Sequence, residues 1–101
     1  MTATLMVTYP ARDGARFDRD YYLGVHLPLV QARWGQHGLV DATAYFPDEP
    51  CDVLAIALLT FGDASARTAA LTSEEAAEVF GDIGNFTDAA PTPLALSAAD
   101  V

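Results

Sequence analysis

Positive charge and cysteine are scarce in this sequence. Its 101 residues include 14 acidic but only five basic side chains, which gives a net charge of −9 at pH 7, and the five cations are arginines scattered along the chain. Nucleic acids and anionic membranes bind to clustered positive charge, so neither is expected as a partner. With a single cysteine, Cys51, and two histidines, the chain has no ligand spacing typical of a metal site, and we predict neither a metal nor an internal disulfide.

Long apolar runs are also absent. The longest candidate, Val53 to Phe61, has the length of a strand and falls short of the roughly 20 residues needed to cross a bilayer. The first residues, MTATLMVTY, lack the basic and apolar regions of a secretory signal. These absences predict a soluble cytoplasmic protein, and the length predicts one domain, 1–101.

Apolar residues make up 51% of the sequence and follow patterns typical of strands. Ala3 to Tyr9 predicts a first strand, Val40 to Phe46 a second, Val53 to Phe61 a third and Leu94 to Ala98 a short last one. In the second strand, the alternation places Val40 on the apolar side.

The first helix is predicted from its start signals and from a proline inside it. Asp18 can act as the N-cap, and Phe17 and Tyr22 occupy the two positions of a hydrophobic staple. Pro28 has no backbone N–H and leaves a carbonyl without its usual partner. We therefore expect a kink near His26, where that carbonyl can accept the imidazole N–H.

A second helical layer is predicted in two pieces. One piece begins at Asp63, and the capping-box spacing from Thr72 to Glu75 predicts that another helix starts there. The resulting order, βαββαβ, predicts an α+β sandwich of the ferredoxin-like type with a four-stranded, mostly antiparallel sheet.

Both faces of the predicted sheet are apolar. Leu5 and Met6 point to opposite sides of the first strand, and Leu58 and Leu59 do so in the third. Helices on one side cover only one face, so the other face needs a cover from outside the chain. Leaving Leu, Ile and Phe side chains in water would cost about 1.5–3 kcal/mol each. We therefore predict an obligate C2 homodimer.

Two segments of the sequence carry a family pattern. Residues 17–30, FDRDYYLGVHLPLV, follow F-D-x-x-Y-Y-x-x-x-H-x-P-L-V, and residues 81–88, GDIGNFTD, follow G-D-I-x-N-[FY]-T-D. One departure is Gly84, where relatives commonly carry proline, and the glycine makes a looser turn before Asn85. With compatible first and third strands, nearly the whole chain resembles the EthD family.

The resemblance implies a dimeric α+β barrel, in agreement with the argument from the two apolar faces. It also implies an association with the bacterial breakdown of ethers such as ethyl tert-butyl ether, beside a cytochrome P450 or similar oxygenase system. It supplies no catalytic mechanism, so the chemistry has to be argued from individual side chains.

His26 is the strongest candidate for acid–base chemistry. It follows Tyr22 by four positions on one helix face and precedes Pro28. If that face is turned toward the sheet, the imidazole projects into the cleft between helix and sheet and can take a proton from a carbon next to a carbonyl. The alternative is a structural histidine that holds the kink. We expect the other histidine, His37, to be an ordinary exposed residue at a helix end.

Aromatic and polar residues are candidates for ligand binding, with a place in the core or in a turn as the alternative. Of the adjacent pair Tyr21 and Tyr22, only one can face the cleft, and Tyr22 shares the side of His26. The candidates are Tyr9, Tyr22, Trp34, Tyr45, Asp82 and Asn85.

Three functions remain after phosphate loops, dinucleotide fingerprints and Ser-His-Asp arrangements are found to be absent. The first is an enzyme without a cofactor, an isomerase, cyclase or oxidoreductase, which uses His26 on a small hydrophobic carbonyl compound, lactone or phenol. Aromatic and polyketide-like compounds fall in this class. The second is a non-catalytic accessory protein that binds a hydrophobic molecule for a neighbouring oxygenase. The third is a purely structural dimerisation module.

Overall fold

The computed structural model describes residues 2–98. Its elements in chain order are β1 (Ala3–Pro10), α1 (Arg19–Tyr21), a π-helical segment (Tyr22–His26), α2 (Leu27–Trp34), a 3-10 turn (Gly35–His37), β2 (Leu39–Tyr45), β3 (Val53–Phe61), α3 (Ala64–Leu71), α4 (Glu75–Gly81), a second 3-10 turn (Ile83–Asn85) and β4 (Thr92–Leu96). The strand order is β2-β3-β1-β4, with every neighbouring pair antiparallel. The predicted ferredoxin-like α+β fold is thereby confirmed. None of the helices in this part of the chain has the length and apolarity needed to span a membrane.

The register of the sheet separates a covered face from an open face. Leu5 of β1 pairs with Leu59 of β3, and both side chains are buried under the helices. One position along, Met6 pairs with Leu58 on one side and with Leu94 of β4 on the other, and Leu94 is 50% exposed. Directly paired residues point to the same side of a sheet, so these three lie on the opposite face. Apolar residues of this open face include Met6, Tyr45, Ile56, Leu58, Leu94 and Leu96.

The first helical run begins as predicted and is distorted where the proline was expected to distort it. Asp18 accepts a hydrogen bond from the backbone N–H of Tyr21 at 3.0 Å. The backbone N–H of Leu27 bonds to the carbonyl of Tyr22, five residues back, and Pro28 has no N–H with which to restore the α-helical pattern. A π-helical segment therefore stands where a kink was predicted, and it ends at the histidine of interest.

Val40 lies on the solvent side instead of the predicted apolar side. The pairing of β2 with β3 shifts between Leu39 and Asp41, which is a β-bulge. A bulge adds one residue to a strand and interrupts the alternation of its side chains. Leu39 is therefore buried against the core and Val40 is 66% exposed.

The predicted capping box at Thr72 is wrong. Thr72 ends α3, and its hydroxyl donates to the carbonyl of Thr68 at 2.8 Å instead of capping a new helix. The next helix, α4, starts at Glu75 without a side-chain cap. The second helical layer does consist of two helices, α3 and α4, as predicted. Asp63 caps α3 by accepting a hydrogen bond from the backbone N–H of Ala66 at 2.7 Å. The last strand lies at Thr92–Leu96 and starts two residues earlier than predicted.

Candidate functional site

An apolar cavity of about 200 Å³ lies between the helices and the covered face of the sheet. Leu5 and Leu59 form part of its floor, Val30 and Trp34 of α2 part of its roof, and Val79 of α4 one side. Packed interiors leave few voids larger than a water molecule, so an apolar space of this size is unusual. Apolar cavities of this kind are where proteins bind small molecules.

His26 lies in the wall of this cavity with only 4% of its surface exposed. The imidazole stacks on the ring of Tyr22, with ring centres 5.6 Å apart, and packs at 4.6 Å against Phe86 from the far end of the chain. The π-helical segment brings about the stacking, because it carries both Tyr22 and His26. The two aromatic neighbours leave the imidazole little freedom to rotate.

Asp82 fixes the orientation of His26. Its Oδ2 lies 2.9 Å from Nδ1 of the imidazole, and its Oδ1 accepts hydrogen bonds from the hydroxyl of Tyr21 at 2.6 Å and from Nδ2 of Asn85 at 2.9 Å. Asp82 comes directly before the second 3-10 turn, which positions it and Asn85 on one side of the helical run. Both oxygens of the Asp82 carboxylate are therefore hydrogen-bonded.

The protonation states follow from this geometry. Asp82 loses some solvation by burial, which raises its pKa, but the hydrogen bonds from Tyr21, Asn85 and His26 outweigh burial and lower the pKa below the ordinary value. An ionised carboxylate only accepts, so Nδ1 of His26 carries the proton that it donates. Burial lowers the pKa of His26, although Asp82 opposes this shift, so the imidazole is neutral at pH 7. Nε2 is then unprotonated, and it has no hydrogen-bond partner among residues 2–98.

Three of the four predicted aromatic residues line the cavity. They are Tyr9, Tyr22 and Trp34. Burial raises the pKa of Tyr22 to about 12, so its hydroxyl remains protonated at pH 7. Burial also raises the pKa of Tyr9, and the nearby Tyr22 adds to the shift.

Tyr45 lies outside the cavity and is 53% exposed. It pairs with Ile56 of β3, which places it on the open face of the sheet, opposite the helices. The prediction that Tyr45 lines the same pocket as His26 is therefore wrong. Ala44, the preceding residue, pairs with the buried Ala57, so the alternation of β2 turns Tyr45 to the opposite side of the sheet.

Asp82 is hydrogen-bonded to His26, Tyr21 and Asn85, and neither Asp82 nor Asn85 lines the cavity. The predicted hydrogen bond from His26 to a backbone carbonyl is replaced by the one to Asp82. The second histidine, His37, is half-buried and bonds to Glu75 at 3.2 Å, instead of being freely exposed. Within residues 2–98, no three His, Cys, Asp or Glu side chains form a group that could hold a metal ion.

Sequence reasoning missed Tyr21 and Phe86. Helix periodicity turns Tyr21 away from the cleft, and from that side its hydroxyl reaches Asp82. Phe86 directly follows Asn85 in the second family pattern, which was a usable signal, and it packs on His26 and Tyr22. Both residues support the histidine from outside the cavity, which helix-face periodicity alone does not reveal.

Comparison with solved structures finds similar chains. An EthD-like protein of Ralstonia eutropha JMP134 is 32% identical to this chain and superposes on it with a TM-score of 0.83. The match covers 94% of this chain and 89% of that one. An ethyl tert-butyl ether D (EthD) family protein of Bacillus halodurans C-125 is 15% identical, with a TM-score of 0.65 over 91% of this chain and 97% of that one. SnoaB, a cofactor-independent oxygenase from Streptomyces nogalater, shares the fold at 10% identity, with a TM-score of 0.70 over 99% and 95% of the two chains. No family model and no curated protein matches the chain.

Proposed function

The chain belongs to the EthD-like protein family, and we propose that it binds a small, largely apolar ring compound in the cavity and that His26 removes a proton from it. One observation carries the proposal: the imidazole lines an apolar cavity, and Asp82 holds its Nδ1 at 2.9 Å. A base that is oriented by a carboxylate and neutral at pH 7 is suited to general base catalysis.

The proposed step transfers one proton. Nε2 of His26 accepts the proton of a C–H next to a carbonyl, and the electron pair of that bond moves onto the carbonyl oxygen to form an enolate. The imidazole becomes an imidazolium whose positive charge is stabilised by Asp82 on the Nδ1 side. Return of the proton to the same carbon, or to another one, restores the neutral imidazole. For a phenol, the proton leaves oxygen and the product is a phenolate.

The size of the cavity limits the ligand. An engineered protein cavity of about 150 Å³ holds benzene, and drug-sized ligands need roughly 300 Å³ or more. The cavity here, of about 200 Å³, lies between these values and suits one or two fused rings. Its walls are mostly aliphatic and aromatic, so a charged ligand would lose its hydration without compensation.

The wider setting of this chemistry is also a proposal. SnoaB is a cofactor-independent oxygenase, and the Bacillus halodurans relative belongs to a family named for ethyl tert-butyl ether. By analogy, we propose that the chain needs no cofactor and acts in the oxidative breakdown of ethers or of aromatic, polyketide-like compounds. The neighbouring cytochrome P450 system remains a prediction, as does the cytoplasmic location.

A second copy of the chain is the proposed cover of the open face. Met6, Ile56 and Leu58 are partly exposed and Leu94 is 50% exposed, so covering each of them would contribute part of the roughly 1.5–3 kcal/mol that full burial of such a side chain gives. Two sheets packed face to face would enclose these side chains in a barrel, as the family resemblance implies. The cavity beside His26 lies on the other face, so each copy would keep its own site.

Proton removal can be tested with 2-tetralone, a two-ring ketone with acidic C–H groups next to its carbonyl. Exchange of these hydrogens in deuterated water is followed by NMR, and the wild type is expected to accelerate it. His26→Asn keeps an amide N–H for Asp82 but has no base, and it is expected to lose about 100-fold or more of the acceleration. His37→Gln is the matched control, because His37 lies outside the cavity.

The outcomes separate the candidate functions. Binding of 2-tetralone without accelerated exchange would favour the alternative, a non-catalytic protein that carries a hydrophobic molecule for an oxygenase. Equal acceleration by the wild type and by His26→Asn would remove His26 from the mechanism. No binding of any small ring compound would contradict the proposed function as a whole.

A further inference from the structure

The cavity reaches the surface at one place. Most of the residues that line it are buried, and His26 and Trp34 are 4% and 1% exposed. Among the lining residues that the structure describes, the exposed ones are Phe80 and Pro93, and Phe80 is 44% exposed. A side chain that contacts both the cavity and the solvent stands at an opening. This opening therefore lies between the end of α4 and the start of β4.

The opening exists because the helices do not extend over the edge strand. Pro93 of β4 pairs with Val7, and Ala95 pairs with Leu5, so both point to the covered face of the sheet. Pro93 and Ala95 are nevertheless exposed. Since β4 is the edge of the sheet, the covered face is bare along this strand.

Phe80 is the side chain at this opening that can move. Pro91 and Pro93, which also line the cavity, are rigid rings with a fixed φ. The ring of Phe80 packs edge-on against Trp34 with ring centres 5.9 Å apart, and its other side meets solvent. The next residue, Gly81, has no side chain, and nothing lies within 4 Å of the place that a Cβ would take there. Exposed side chains change rotamer rapidly, so the ring has both the freedom and the space to swing aside.

We propose that ligands enter the cavity between α4 and β4 and that Phe80 determines which of them pass. The inference rests on the proposed function, since it assumes that a ring compound occupies the cavity. Phe80, Pro91 and Pro93 have no polar side-chain atom, and the two prolines have no backbone N–H. A charged compound would lose its hydration at this opening without compensation, so the entrance favours uncharged ring compounds.

Stopped-flow binding of 2-tetralone tests the proposal. Trp34 is the single tryptophan of the chain and lies in the cavity wall, so its fluorescence reports the arrival of the ligand. Phe80→Ala is expected to raise the association rate constant by about tenfold, because an entrance that has to open first slows association. The dissociation rate constant is expected to rise at least as much. A residue that only contacts the bound ligand would change dissociation alone.

Two matched variants locate the entrance. Leu23→Ala shortens a side chain that is 49% exposed and does not line the cavity, so both rate constants are expected to stay unchanged. Leu27→Ala shortens a half-buried lining residue of α2, and its association rate constant is also expected to stay unchanged. An unchanged association rate constant in Phe80→Ala, or a faster one in Leu27→Ala alone, would overturn the inference. If Phe80→Ala does not fold, Phe80→Leu takes its place and is expected to change both rate constants in the same direction.

Acrylamide quenching of Trp34 separates this inference from the proposed function, because it needs no ligand. Acrylamide is a small neutral quencher, and Phe80→Ala is expected to raise its quenching constant severalfold by opening the path to the buried indole. Unchanged quenching in Phe80→Ala would overturn the inference even if 2-tetralone binds. If 2-tetralone does not bind while quenching rises, the proposed function fails and Phe80 is still the residue that closes the cavity.

Discussion

The hydroxyl of Tyr21 donates a hydrogen bond to Oδ1 of Asp82 at 2.6 Å, although the two residues are 61 positions apart in the chain. The other carboxylate oxygen of Asp82 holds Nδ1 of His26. Tyr21 and His26 belong to one helical run, so the carboxylate joins two points of that run to the turn after α4. This arrangement holds the first helical run against the turn after α4, and it fixes the tautomer of His26.

Removal of this hydrogen bond is predicted to change the titration of the site. In Tyr21→Phe, Asp82 loses a donor that lowers its pKa, so the pKa of Asp82 is expected to rise. A more basic carboxylate attracts the imidazole proton more strongly, so the pKa of His26 is expected to rise as well. NMR titration of the imidazole and carboxyl signals measures both changes. Tyr45→Phe is the matched control, and unchanged pKa values in Tyr21→Phe would contradict the prediction.

The free energy of unfolding is predicted to fall as the solution becomes more acidic than pH 6.5. Burial lowers the pKa of His26 in the folded chain below the ordinary value of 6.5, so the unfolded chain binds this proton more tightly. The stability that neutral His26 provides is complete above pH 6.5 and is lost as the pH falls through the folded pKa. Urea unfolding across this range is expected to show the slope in the wild type and a weaker slope in His26→Asn. An equal pH dependence of the unfolding free energy in the two proteins would contradict this prediction.

The open face is predicted to hold two chains together. Leu58 lies between Met6 and Thr43 on this face, and a carboxylate there would be placed in an apolar interface. Leu58→Asp is therefore expected to sediment as a monomer at concentrations where the wild type is a dimer. Leu23→Asp makes the same replacement at a residue that is 49% exposed on the helical run, and it is expected to leave the assembly unchanged. A monomeric wild type at micromolar concentration would rule out the dimer.

Gly38 is predicted to tolerate no side chain. Its φ of +99° lies in the left-handed region, and a Cβ atom there would stand 2.6 Å from the Cβ of Ala66 in α3. Strain and overlap together are expected to make Gly38→Ala less stable by about 2 kcal/mol or more in urea unfolding. Gly84→Ala is the control, since nothing lies within 4 Å of a Cβ there and its φ is not positive. A loss of less than about 0.5 kcal/mol in Gly38→Ala would contradict this account.

Elements with local signals could be predicted from the amino-acid sequence alone. β3 spans Val53–Phe61 as predicted, because an almost continuous apolar run between two turn-rich segments indicates a strand without reference to the rest of the chain. Asp18 starts the first helical run and Pro28 distorts it, since capping and a missing N–H act within one or two turns. The two family patterns likewise pointed to the EthD-like family, which the Ralstonia eutropha relative confirms.

The contacts between these elements depend, in contrast, on the folded chain as a whole. The bond between His26 and Asp82 joins residues 56 positions apart, and it depends on how the turn after α4 docks against the helical run. This docking depends on side-chain packing across the whole core, so it cannot be predicted from any short segment of the sequence. The same reason explains the bulge that turned Val40 outward, because strand register is a property of two strands and not of one.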